Sequence, residues 1–199
     1  MQQILIFNKW PCEGIVVQDP GLERYITVTP IMVPKTGARY AGQKFYKSRI
    51  NIVERLINRL MTPGHKAKKH KVTSGLTTGK AATVYNIVYQ AFSIIERKTK
   101  KNPVEVLVKA IENGAAREEI ITIEYGGARY PKAVEASPQR RIDQVLKLFT
   151  QNAYQKSFNS RKGAASALAD EIILAYQASP NSVVVSKKLE LERQADGSR

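Results

Sequence analysis

At 199 residues with 43% hydrophobic content, the chain is long enough for one domain with a substantial core and short for two. Thirty-two Lys and Arg against 17 Asp and Glu leave a formal charge of +15, which points to a polyanionic partner, nucleic acid before an anionic membrane. A single cysteine, Cys12, excludes an internal disulfide and lacks neighbouring zinc ligands. With no basic leader before Ile4 to Phe7 and no apolar run near the roughly 20 residues of a membrane span, a soluble cytoplasmic protein is expected.

Residues 1–47 are punctuated by Pro and Gly and hold only short β-favouring pieces such as Tyr25 to Val28, so they read as an extended basic arm. From Ser48, a candidate N-cap, Ile50, Val53, Leu56, Ile57, Leu60 and Met61 follow helical spacing until Pro63-Gly64 ends the run. The stretch "GHKAKKHKVTSGLTTGK" (64–80) has too few apolar residues to pack and reads as a mobile basic loop. A second helix carries Val84, Ile87, Val88, Ala91, Ile94 and Ile95 on one face. Asn102-Pro103, an N-cap followed by proline at the first helical position, opens a third, with Val104, Leu107, Val108 and Ile111 inward and Gly114 placed to close it.

After a ribbon, Ser137-Pro138 repeats that signal ahead of Ile142, Val145, Leu146 and Phe149, and another helix from Ala164 to about Ala178 buries Ala165, Leu168, Ile172 and Ala175. The tail "SKKLELERQADGSR" reads as a short charged helix with little to bury. The expected fold is mainly α: a helical bundle of about six helices over 48–181, one protruding β-hairpin at about 120–135, a basic N-terminal extension over 1–47 and a charged tail over 182–199.

In the ribbon, the Gly126-Gly127 turn sets Tyr125 opposite Ala128, Glu124 opposite Arg129 and Ile123 opposite Tyr130. Arg129 is then partly neutralised by Glu124. Pro131 donates no ladder hydrogen bond and belongs on an edge, and a two-stranded hairpin needs bracing by the bundle or by a partner.

Eleven basic residues lie between Lys35 and Lys71 (Lys35, Arg39, Lys44, Lys47, Arg49, Arg55, Arg59, Lys66, Lys68, Lys69, Lys71) against one acid, Glu54, with Tyr40, Phe45 and Tyr46 among them. Cations that pair phosphates beside aromatics that stack on bases suit structured RNA, whereas a solvated charge run is the plainer alternative. Arg140 and Arg141 fall in the first turn after Ser137-Pro138, where the helix dipole disfavours cations unless an anion binds, so they are the stronger candidates for a phosphate grip.

Nothing argues for catalysis. "GLTTGKA" (75–81) has three residues between its glycines and Ala81 after the lysine, where a phosphate-cradling loop needs four and a Ser or Thr. His65 and His70 are surrounded by lysines that repel a metal cation, and Glu118 and Glu119 are adjacent surface acids rather than an acid and base pair. No cofactor or metal is expected.

The segments "NIVERLINRLM" (51–61), "NPVEVLVKAIENGAAREE" (102–119), "YGGARYPKAVEASPQRR" (125–141) and "ALADEIILA" (167–175), in that order, resemble the small-subunit ribosomal protein seven family. The long basic arm and Ser-Pro-Gln-Arg-Arg resemble its archaeal and eukaryotic branch, the archaeal form in particular. Ala116, where the family pattern has proline, and the long lysine-rich 64–80 stretch depart from it.

The resemblance implies a structural protein of the cytoplasmic ribosome that binds the 3′ major domain of small-subunit ribosomal RNA and nucleates assembly of the head. It would lie at the subunit interface near exit-site tRNA and the mRNA path. Its neighbours would be small-subunit proteins eleven and nine, with no homo-oligomer and no membrane. Carried onto this chain, the implied RNA contacts are Lys35, Arg39, Lys44, Lys47 and Arg49 of the arm, Lys66, Lys68, Lys69 and Lys71 of the loop, Arg129 and Lys132 of the ribbon, Arg140 and Arg141, and Lys156, Arg161 and Lys162. The tip near tRNA would be Tyr125, Gly126, Gly127 and Arg129. The alternative is a basic adaptor for a membrane surface or an acidic protein, which requires an amphipathic helix with exposed large apolar residues.

Overall fold

Proline and glycine punctuation in the first fifty residues conceals a set of apolar wedges. The computed structural model describes residues 4–66, 69–70, 75 and 77–199. Strands β1 (Leu5–Ile6) and β2 (Trp10–Pro11) pair antiparallel, and α1 (Pro20–Glu23) is capped by the Asp19 side chain, which accepts from the Gly21 amide. Ile6, Trp10, Cys12, Leu22 and Ile26 are buried in the same core as the helices. Phe7 and Trp10 each meet Phe92 edge-on, at 5.9 and 5.7 Å between ring centres. The extended arm expected over 1–47 therefore begins only after the core-bound segment, and Thr27 is still tied to Asn51 by a parallel bridge. Isolated wedges need no periodicity, so spacing alone did not reveal them.

The helices are α2 (Ile52–Leu60), α3 (Ala81–Thr99), α4 (Pro103–Gly114), α5 (Pro138–Ser157), α6 (Ala164–Tyr176) and α7 (Val183–Asp196). Asn51, rather than Ser48, caps α2: its side chain accepts from the Val53 amide, while the Ser48 hydroxyl donates to the Phe45 carbonyl inside a 3-10 turn, Tyr46–Arg49. Asn102 caps α4 as its sequence predicts, accepting from the Val104 amide at 3.0 Å. Helix α6 packs on α3, α4 and α5, and the core runs through Val88, Phe92, Leu107, Ile111, Phe149 and Ile172. Within the stretch read as a loop, β3 (His65–Lys66) and β4 (Lys69–His70) form a short antiparallel pair.

The ribbon is β5 (Glu118–Tyr125) and β6 (Ala128–Glu135), in the predicted register, with Gly126 and Gly127 at φ 57° and 82°. Its bracing comes from the chain's own end. The expected charged tail is the 14-residue α7, whose Val184, Val185 and Ala195 are buried and which packs against β5, α4 and α5. Glu192 accepts from the Arg117 amide at the ribbon's base, and Arg199 pairs with Glu118. Gly114 is required by this docking: a Cβ there would meet Val184 Cγ1 at 2.3 Å.

Candidate nucleic-acid interface

The arm and α2 present their cations to the first half of α5 across a cleft of about 740 Å³, lined by Lys44, Lys47, Arg55 and Arg59 and by Arg140, Asp143 and Lys147. Tyr40 and Ile50 also line an adjoining cleft of about 460 Å³ with Lys35, Arg39, Tyr46 and Arg49, which makes one basic tract of the two. The Arg49 guanidinium lies 4.4 Å from the centre of the Tyr46 ring.

Carboxylates barely offset this charge. Glu54, the single acid between Lys35 and Lys71, is turned inward at 2% exposure and accepts from the Thr36 amide and hydroxyl at 2.9 and 2.7 Å, fastening the arm to α2. Among the described residues Asp143 is the one carboxylate lining the tract, shared by Lys47 and by Arg55 at 3.0 Å. Burial pulls the Arg55 pKa down, and Asp143 opposes that pull. Among the described residues, Lys35, Arg39, Lys44, Arg59 and Lys147 have no carboxylate within ion-pair reach.

The start of α5 differs from its sequence-level reading. Arg141 is buried: its guanidinium donates to Asp19 Oδ2 at 2.7 Å and to the carbonyls of Ala116 and Ala115, clamping α1 to the turn between α4 and β5. Burial by itself would push the Asp19 carboxyl up, but the hydrogen bonds from Arg141 and from the Gly21 amide hold it below the usual carboxylate range. Arg141 is thus a buried internal cross-link whose Nε and Nη2 donors are occupied, and it is withdrawn from the phosphate grip. Arg140 is more exposed and makes a two-point contact with Glu119, Nε to Oε1 at 2.5 Å and Nη2 to Oε2 at 2.9 Å.

On the ribbon, Arg129 faces Glu124 at 3.6 Å with 75% of its side chain exposed, so the predicted pairing is present and loose. Lys132 is exposed, and the register puts it on one face with Ile121, Ile123, Tyr125 and Tyr130. Tyr125 beside the Gly126-Gly127 turn is 80% exposed. At the elbow between α5 and α6 the cations are engaged: Lys156 contacts the fully buried Glu171 at 3.1 Å, and Lys162 contacts Asp170 at 2.5 Å, where Lys98 also binds. Arg161 is exposed. Lys68 and Lys71 lie outside the described residues, as do the side chains of Lys66 and Lys69.

Lys147 and Gln139 line the tract and sequence reasoning does not select them, while Arg59 belongs to the basic run but, four residues from Arg55 on α2, is equally readable as a solvated helix face. A usable signal exists on α5, where Arg140, Gln144 and Lys147 fall on one face.

Fold and tract together define a mainly helical protein with a continuous basic tract and a ribbon braced at its base. Residues 22–199 match the family model for ribosomal protein S7p/S5e, and the chain belongs to that family. It is 48% identical to the small ribosomal subunit protein uS7 of Nanoarchaeum equitans over 98% of each chain. Identity is 43% to that of Archaeoglobus fulgidus, over the whole of this chain and 96% of the relative, and 42% to that of Methanothrix thermoacetophila, over 98% and 99%. The archaeal type indicated by the long arm and by Ser-Pro-Gln-Arg-Arg is the type found.

Proposed function

We propose that the chain is a structural, non-catalytic constituent of the small ribosomal subunit in the cytoplasm and binds the 3′ major domain of small-subunit ribosomal RNA through the arm–α2–α5 tract. The carrying observation is that tract: a continuous run of cations with one lining carboxylate, Asp143, on a chain whose similar relatives carry the name of a small ribosomal subunit protein. Binding there nucleates assembly of the head and places the ribbon at the subunit interface near exit-site tRNA and the mRNA path, with proteins eleven and nine as neighbours. Lys35, Arg39, Lys44 and Arg49 are the proposed main contacts, joined by Lys66, Lys68, Lys69 and Lys71, by Lys132 on the ribbon, and by Arg161. Lys47, Arg140, Arg129, Lys156 and Lys162 are proposed to contribute less because each already faces a carboxylate.

The membrane-surface alternative is the weaker reading, because the apolar faces of α2 to α6 are in the core rather than presented to a bilayer. Filter binding to a 3′ major-domain RNA fragment, against an unrelated RNA of equal length, tests the proposal. Tight binding to the fragment alone is expected, and equal binding to both would sink it.

A further inference from the structure

Among the described residues, two buried donors in the tract have no acceptor: Gln139 is 6% exposed and its Nε2 makes no hydrogen bond, and the Nε of Arg59 is likewise buried and unpartnered. Both side chains line the 740 Å³ cleft, one from α5 and one from α2. Buried donors are nearly always satisfied, and leaving one unmade costs stability, so two lining one cleft call for an acceptor that arrives from outside. A third observation fixes its charge. The 20-residue α5 opens at Ser137, which makes no side-chain cap bond, and Ser137, Gln139 and Arg140 line the cleft beside Lys44, Lys47 and Lys147. A helix start with uncapped amides among cations favours an anion.

We propose that this cleft seats a phosphodiester of an RNA strand, with phosphate oxygens accepting from Gln139 Nε2 and Arg59 Nε. In that seat Gln139 and Arg59 fix position at short range, while the lysines supply long-range attraction. The size and continuity of the cleft select a backbone over a free ion. Its volume lies in the range of about 300–1,000 Å³ that accommodates an organic ligand, well beyond one phosphate, and it runs on into the adjoining cleft through Tyr40 and Ile50. Asp143, held by Lys47 and Arg55, is the one anion already present, and it leaves Gln139 and Arg59 unserved. The proposal rests on the RNA-binding reading and deepens it by naming the donors.

The test uses the full chain and the 3′ major-domain RNA fragment, in filter-binding titrations over a range of KCl concentrations, with thermal melts of the free protein. Gln139→Met keeps the volume and removes the orphan donor. Its free protein should melt no lower than wild type while RNA affinity falls about tenfold, as expected for a lost hydrogen bond to a charged acceptor. Its logarithmic salt slope should be unchanged, because no charge is removed. Arg59→Met should lower affinity by a similar factor and reduce the slope by roughly 0.7 to 0.9. Wild-type affinity for Gln139→Met, or a lower melting midpoint that makes its amide structural, overturns the proposal. So does a loss of inorganic-phosphate binding with RNA binding intact, which would mark a free-ion site. Failure of the wild-type chain to bind the fragment would instead overturn the RNA reading itself.

Discussion

Lys35, Arg39 and Lys44 on the arm and Lys156 and Lys162 at the α5–α6 elbow are equally basic in sequence, yet the first three face no carboxylate while the other two hold Glu171 and Asp170. The difference lies in where the acids went. On the arm side Glu54 is folded inward to fasten Thr36, which leaves the surface unopposed. At the elbow Glu171 binds Asn152, Lys156 and Ser182 together and accepts from the Val184 amide at the start of α7, so its cation belongs to the fold. A net charge of +15 therefore overstates what a polyanion meets on one region and describes it well on another.

The largest expected effect is at the most engaged cation. Arg141→Ala should cost about 3–5 kcal/mol in urea denaturation, since it leaves Asp19 and two backbone carbonyls without their donor. A loss under about 1 kcal/mol would return Arg141 to the surface-arginine class. Next, Glu171→Ala should cost about 2–3 kcal/mol, because it leaves Asn152 and Lys156 without their buried acceptor and removes an acceptor of the Ser182 hydroxyl and the Val184 amide at the start of α7.

A smaller effect concerns acid. The folded Asp19 carboxyl ionises more readily than its unfolded counterpart, so its contribution is complete above the ordinary carboxylate range and disappears as pH falls through the lowered folded value. Asp19→Asn should flatten the acid limb of stability against pH; an unchanged limb would contradict the clamp. Smallest of all, Glu124→Gln should change stability by under about 0.5 kcal/mol, as the Arg129 pair is solvent-exposed at 3.6 Å, while freeing Arg129 for a modest gain in RNA affinity.

The comparison also explains what the chain's residues disclose unaided. The ribbon's register is written locally, in a diglycine between strands of period two, and the α4 start in Asn102-Pro103, so both are legible without the structure. The fate of Arg141 is not, because its carboxylate partner Asp19 lies 122 positions away and nothing near Arg141 betrays its burial. Ile6 and Trp10 escaped for a related reason: single wedges carry no repeat, and Pro and Gly around them resemble those of a free arm. The tail escaped because its few apolar residues, Val184, Val185 and Ala195, suffice only when Gly114 lets α7 approach closely.

The most direct test of the account compares two paired variants, Lys35→Gln with Arg39→Gln on the arm and Lys156→Gln with Lys162→Gln at the elbow, in salt titrations of binding to the 3′ major-domain fragment. The arm pair should reduce the logarithmic salt slope by roughly 1.4 to 1.8, with the melting midpoint unchanged, and the elbow pair should reduce it by well under about 0.7. Equal reductions for the two pairs would contradict the central claim that free cations, rather than total cations, mark the RNA face.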